Sequence, residues 1–211
     1  MRLMTWNVGS LRDDAAGVAR VIRLLGPDVV LVQEAPRLWR WRSACARLAR
    51  ESGMVVVTGG RPAAGNLVLC AMRVGVQSSR DLLLPKRRPL HRRGAATAVL
   101  EVGGRRLTVL GTQLDRDPVV RLDSAHRLRQ TSCDVLAADV NEEPGGAAWA
   151  VLSAGMLDAA NGLGPTHSVA SPRRRIDALF VGPRLDVVRA EVVDCGPVSD
   201  HKPIVVDLEW A

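Results

Sequence analysis

A set of polar side chains in this sequence stands where apolar runs of strand length begin or end. Asn7 closes RLMTWN, Glu34 follows DVVLVQ, and Asp139 and Asn141 close CDVLAADVN. Asp177 opens DALFV, and Asp200 with His201 precedes PIVV in the stretch VSDHKPIVV. Carboxylates, carboxamides and an imidazole are the groups that hold a hard cation through oxygen and that move protons. Taken singly, each reads as a cap or turn residue. The set has an order, however: the first groups end their runs and the last ones start theirs. If the last two strands run antiparallel to the others, all of these side chains meet along one edge.

The elements that must position them are mostly strands. RLMTWNV, DVVLVQE, GMVVVTG, GNLVLCAM, AATAVLEV, RRLTVLGTQL, CDVLAADV, RIDALFVG and KPIVVDLEW are each bounded by glycine, proline or charge. Between the first two, Ala15, Val18, Ala19, Ile22 and Leu25 recur at helical spacing, after acids and before Gly26-Pro27, which predicts a βαβ opening. A second helix is expected over residues 36–51, with Trp39 and Trp41 on different faces, one packed inward and one partly exposed. Gly103-Gly104 joins two strands as a hairpin. Short helices are expected over 119–130 and 146–154, and no linker, repeat or low-complexity segment interrupts the chain.

With 211 residues, 47% hydrophobic and 24% charged, the chain suits a single domain, 1–211, with a sizeable core. The net charge of +7 favours phosphate-rich partners, although an Arg- and Ala-rich composition without tyrosine equally reflects coding bias. Cys45, Cys70, Cys133 and Cys195 have neither disulfide nor zinc spacing and read as reduced, buried thiols. The start of the chain is too polar for a signal peptide, and no apolar run of about 18 residues occurs, so a cytoplasmic, monomeric protein is expected.

The ordered motifs TWN, QE, ADVN, RRRID and SDHKP together resemble the endonuclease/exonuclease/phosphatase superfamily, the group with the DNase I fold. The resemblance runs from Thr5 to Trp210. HRRGAATAVLEVGGRRLTVLGTQL resembles the family's central strands, and NEEPGGAAWAVLSAGMLDA its helix after the Asp-x-Asn motif. It implies an α+β fold, a four-layer αββα sandwich of two packed mixed sheets flanked by helices. It also implies hydrolysis of a phosphate ester with Mg²⁺, or Mn²⁺ as a substitute. In that reading Glu34 is a direct metal ligand, with Asn7 and Asp200 close to the metal shell. Asp139 orients or deprotonates the attacking water, and Asn141 donates to a phosphate oxygen. His201 faces the phosphate, paired with Asp177, which fixes its tautomer and raises its pKa.

Two departures stand out. Gln113 occupies a strand position where the family usually has histidine; an amide can hydrogen-bond a phosphate oxygen but cannot act as a general acid. Ala138 replaces the usual glycine before Asp139. Outside the core set, the basic stretch at residues 86–94, Arg93 above all, and the Arg173–Arg175 cluster, Arg175 included, are candidates for substrate contact. His91, His126 and His167 read as surface or packing residues, and Trp6, Trp149 and Trp210 as core. The leading functional expectation is a nuclease-like phosphodiesterase, with nucleic acid as a candidate substrate. The alternatives are a phosphatase or phosphodiesterase of a small metabolite or lipid head group, and a catalytically weak phosphate-binding protein.

Overall fold

The computed structural model describes residues 1–85, 91–171 and 173–211. Its strands, in chain order, are β1 (Arg2–Asn7), β2 (Val29–Gln33), β3 (Met54–Gly60), β4 (Asn66–Ala71), β5 (Gly75–Leu83) and β6 (Gly94–Val102). They continue with β7 (Arg105–Gln113), β8 (Val135–Asp139), β9 (Leu157–Asp158), β10 (Asp177–Val181), β11 (Leu185–Val192) and β12 (Ile204–Trp210). The helices are α1 (Ala15–Leu25), α2 (Trp41–Ser52), α3 (Pro118–Leu128) and α4 (Ala147–Ser153). Two six-stranded sheets result, in the orders β11-β12-β1-β2-β4-β3 and β5-β6-β7-β8-β10-β9.

Period-two alternation along the strands divides the apolar residues between layers. Leu3, Val29 and Leu31 pack between the sheets with Ala96, Ala98, Val109, Ala137 and Leu179. Their neighbours Met4, Val30 and Val32 face the other way, onto Val18 and Ile22 of α1 and Leu48 of α2. On the opposite outer face, Leu110, Leu136 and Phe180 pack against Ala125 and Leu128 of α3 and Trp149 and Leu152 of α4. The expected four-layer αββα sandwich is therefore present. Small residues keep the sheets close: a Cβ placed on Gly111 would lie 3.1 Å from the Leu31 side chain.

The helix that begins at Asp14 is capped by that carboxylate, which accepts from Gly17 N at 2.7 Å, and it ends at left-handed Gly26. Its crossover makes β1 and β2 parallel, as the βαβ opening predicted. The second helix starts five residues later than expected, at Trp41, because Arg40 adopts φ 56 and turns the chain there. Trp39 consequently lies outside it. Three strands escaped the sequence reading. β5 and β11 are edge strands with long exposed polar stretches, and β9 is only two residues long. No helix among the described residues is long and apolar enough to cross a membrane.

Candidate active site

Strand polarity brings the polar ends together. β1 and β2 are parallel, as are β7 and β8, so Asn7, Glu34, Gln113 and Asp139 all come from carboxyl ends. β10 runs antiparallel to β8 with Asp177 opposite Asp139, and β12 runs antiparallel to β1, so Asp177 and His201 approach from their strands' starts. Gln113 is the register partner of Asp139 on the other side. The two sheets thus each contribute half of one cluster.

Amide side chains bind the carboxylates to one another. Asn7 Nδ2 donates to Asp139 Oδ2 at 2.9 Å and to Glu34 Oε1 at 3.3 Å, while Asn7 Oδ1 accepts from Gly9 N at 3.1 Å. Gln113 Nε2 donates to the same two oxygens, at 2.7 Å to Glu34 and 2.9 Å to Asp139. Arg93 Nη1 donates to Gln113 Oε1 at 2.6 Å, and its Nε reaches Asp115 at 3.3 Å. The guanidinium therefore fixes which end of the Gln113 amide faces the acids. Both donor bonds of Gln113 go to carboxylates, so the amide is not free to meet a phosphate oxygen as the sequence suggested.

On the far side of Asp139, His201 Nδ1 lies 2.8 Å from Asp177 Oδ2. The ring is placed by its backbone, since Trp6 Nε1 donates to His201 O at 2.8 Å and Ser199 Oγ donates to Asn7 O at 2.8 Å. Trp6 is core, as expected, and also ties β1 to this loop. Asn141 sits at φ 54, with its N–H on Asp139 Oδ1 at 3.1 Å and its Nδ2 on Leu114 O at 3.0 Å. Glu34, at φ 50, is a second residue in the left-handed region, which costs on the order of 1 kcal/mol for a side chain with a Cβ. Asparagine adopts this conformation readily, so the strain is at Glu34, where side-chain aim is set at the expense of backbone comfort.

Electrostatics favour a positive charge at this edge. Burial and the neighbouring Asp177 push Asp139 up to about 6. Burial works against charge on His201, but Asp177, Asp139 and Asp200 outweigh it and raise the ring to about 9. Burial also disfavours charged Glu34, yet hydrogen bonds from Gln113 and Asn7 hold it below the usual carboxylate range. Asp177 Oδ1 is buried without a hydrogen-bond partner. Four carboxylates converge, against Arg93, which is shared with Asp115, and His201. This oxygen-rich, anionic donor set fits a hard divalent cation.

Ligating atoms of Asp139, Asp177 and His201 lie within 4.8 Å of one another, as do those of His167, Asp200 and His201. Asp200 is mostly exposed at this edge, 3.8 Å from His167 Nε2. Glu34 belongs to neither triad and joins the cluster through the amides it shares with Asp139. His167, which the sequence marked as surface or packing, lies against the His201 ring, centroids 4.6 Å apart and planes tilted by 50°. Nothing in its local spacing signals this, because a β-bridge to residue 201 brings it there. Arg175 needs the opposite correction: it is buried, paired with Asp158 at 2.6 and 3.2 Å, and lies 4.7 Å over the Trp149 ring. Arg174, not Arg175, lines the cleft beside His167 and Asn141, with its Nε 3.3 Å from Glu143. Lys86 to Leu90 of the basic stretch lie outside the described residues, whereas Arg93 is in the cluster.

Two clefts flank it. One, of about 1040 Å³, is lined by Glu34, Gln113, Arg93, Arg37 and Trp39; the other, of about 650 Å³, by Asn141, His167, Arg121 and Arg174. Arg116 borders both.

The sequence model of the Endonuclease/Exonuclease/phosphatase family matches residues 4–201. No curated protein matches the chain. Among solved structures, a mannosyl-6-phosphatase from Bacteroides thetaiotaomicron is similar at 15% identity and TM-score 0.83, with both chains fully covered. TDP2 from D. rerio in complex with single strand DNA product is similar at 18% identity and TM-score 0.79, covering 99% of this chain and 98% of that one. An endonuclease/exonuclease/phosphatase from Beutenbergia cavernae shares 22% identity at TM-score 0.77, covering all of this chain and 71% of that one.

Proposed function

The chain belongs to the endonuclease/exonuclease/phosphatase family, a group of metal-dependent phosphoester hydrolases, and from that premise we propose that it is a Mg²⁺-dependent phosphodiesterase of nuclease type acting as a monomer. The observation that carries the diester reading is the pair of clefts on either side of the carboxylate cluster, both bordered by Arg116. A monoester needs room for an organic group on one side of its phosphorus, and a diester needs it on both.

Glu34, with Asn7 and Asp200 nearby, would hold the divalent cation, which supplies charge neutralisation at the phosphoryl oxygens. Mn²⁺ fits the same oxygen donors. Asp139, held by Asn7, Gln113 and the Asn141 N–H, orients the attacking water and takes its proton. His201, whose Nδ1 is turned to Asp177, presents Nε2–H to a phosphoryl oxygen and offsets the charge that grows there. Asn141 closes the cluster on the side of the smaller cleft. Gln113 supports the acids and does not donate a proton, so a diester with a leaving group that departs without strong acid assistance is the best-suited substrate.

The test is hydrolysis of bis-p-nitrophenyl phosphate, single-stranded DNA and a panel of phosphate monoesters, each with Mg²⁺, Mn²⁺ or EDTA. Diester cleavage that needs the metal is expected, with Asp139→Ala and His201→Ala slower by about 10² or more. Phosphate release from monoesters alone would replace this reading with a small-metabolite or lipid-head-group phosphatase. Turnover of none of them would leave a phosphate-binding protein.

A further inference from the structure

The larger cleft contains a side chain that the hydrolytic cluster does not use. Trp39 is 92% exposed and the adjacent Leu38 81% exposed, both lining the wall that also carries Glu34 and Gln113. Indole burial is worth more than that of most side chains, so leaving one in water is unfavourable unless something covers it in use. The fold packs one tryptophan of this segment, Trp41, partly buried against the core between α1, α2 and the sheet. A Cβ on Gly60 would lie 2.6 Å from the Trp41 ring, so glycine there is what admits it. The left-handed turn at Arg40 separates the two rings.

The Trp39 segment is braced: Ala35 N donates to Gly65 O at 2.7 Å, Trp41 N to Leu38 O at 3.2 Å, and Arg37 Nη1 to Ala64 O at 3.3 Å. A lone exposed apolar residue needs no explanation, but this one shares its cleft with Arg12, Arg37, Arg93 and Arg116 against Glu34 and Asp115. Arg93 is committed to Gln113 and Asp115; the other three leave the cleft positive. At about 1040 Å³ it sits at the upper end of ligand-pocket sizes, about 300–1,000 Å³, larger than a bare phosphate or sugar phosphate requires. A flat apolar face beside a chain of cations is the arrangement that binds unpaired bases by stacking and their backbone by charge.

Resting on the phosphodiesterase reading, we propose that this cleft is a single-strand nucleic acid subsite in which Trp39 stacks a nucleobase next to the scissile phosphate while Arg12, Arg37 and Arg116 follow the backbone. Duplex ends are disfavoured, because paired bases already stack on one another and offer the indole no free face within the strand.

The experiment measures anisotropy of a labelled short oligothymidylate, the same length with abasic units, and a hairpin duplex, each in EDTA so that cleavage stops. Wild type is compared with Trp39→Ala, Trp39→Phe and Arg37→Ala, with circular dichroism verifying the fold. Trp39→Ala is expected to weaken oligothymidylate binding about tenfold, Trp39→Phe to recover most of it, and the abasic strand to be bound equally by wild type and Trp39→Ala. Arg37→Ala is expected to weaken both strands and flatten the salt dependence. Equal oligothymidylate affinity for wild type and Trp39→Ala, an equal loss on the abasic strand, or tighter binding of the hairpin would overturn the stacking role. Hydrolysis of bis-p-nitrophenyl phosphate without any oligothymidylate binding would overturn the subsite while leaving the phosphodiesterase reading intact; cleavage of monoesters alone would end that reading itself.

Discussion

Gln113 shows how one residue type changes what a site can do. A histidine there could carry charge; the amide instead spends both N–H groups on Glu34 and Asp139 and its oxygen on Arg93. Gln113→Ala should therefore cost about 1–3 kcal/mol in urea unfolding, since it strips buried carboxylates of charge-assisted hydrogen bonds. Gln113→His should fold, keeping one of the two acid contacts. It should raise rates more for diesters with poor leaving groups than for those with good ones, because only the former gain from a proton donor. Equal effects on both classes would remove any acid function from that position.

Elements set the aim of these groups through register and layer spacing. Gly111 lies two residues before Gln113 on the face of β7 that meets Leu31 of β2. Gly111→Val should destabilise the protein by about 1–3 kcal/mol, the usual cost of overpacking, and should lower activity by moving the two halves of the cluster apart. Pairing it with Leu31→Ala gives a check by double-mutant cycle in urea. The double variant should lose less than the two single losses combined, and simple additivity would mean the sheets do not touch there.

The whole molecule carries an electrostatic imbalance at one edge, and its stability should report it. His201 is raised to about 9, so its contribution in the metal-free protein is fully present below about 6.5 and is lost as pH rises through 9. Asp139, raised to about 6, likewise contributes below its unfolded value near 4 and loses that contribution as pH rises through 6. The melting temperature in EDTA should therefore fall between pH 6 and 9. A cation that binds only the folded cluster should offset this: at a hundredfold excess over its Kd the gain is about 2.7 kcal/mol. For a chain of this size that is a rise of several degrees. Calorimetry across pH with and without Mg²⁺ checks both signs, and a melting temperature indifferent to Mg²⁺ and Mn²⁺ would argue against a metal at this edge.

Local chemistry made much of this legible in advance. Strands buried on both faces announce themselves as continuous apolar runs, and polar residues at their ends stand out against them, so Asn7, Glu34, Asp139, Asp177 and His201 could be marked from sequence, while the αββα layering was implied by the family resemblance of the motifs. Edge strands such as β5 and β11 carry weaker patterns, because one face meets water and constrains nothing. What only the tertiary structure decided was partnership between distant residues. His167 reaches His201 across a bridge, Arg175 turns away to Asp158, Gln113 is locked by Arg93, and Trp39 stays in solvent while Trp41 fills the space over Gly60. Residue type fixes what a side chain can donate or accept, but which groups lie within 3 Å of it depends on strand register and on the packing of one sheet against the other.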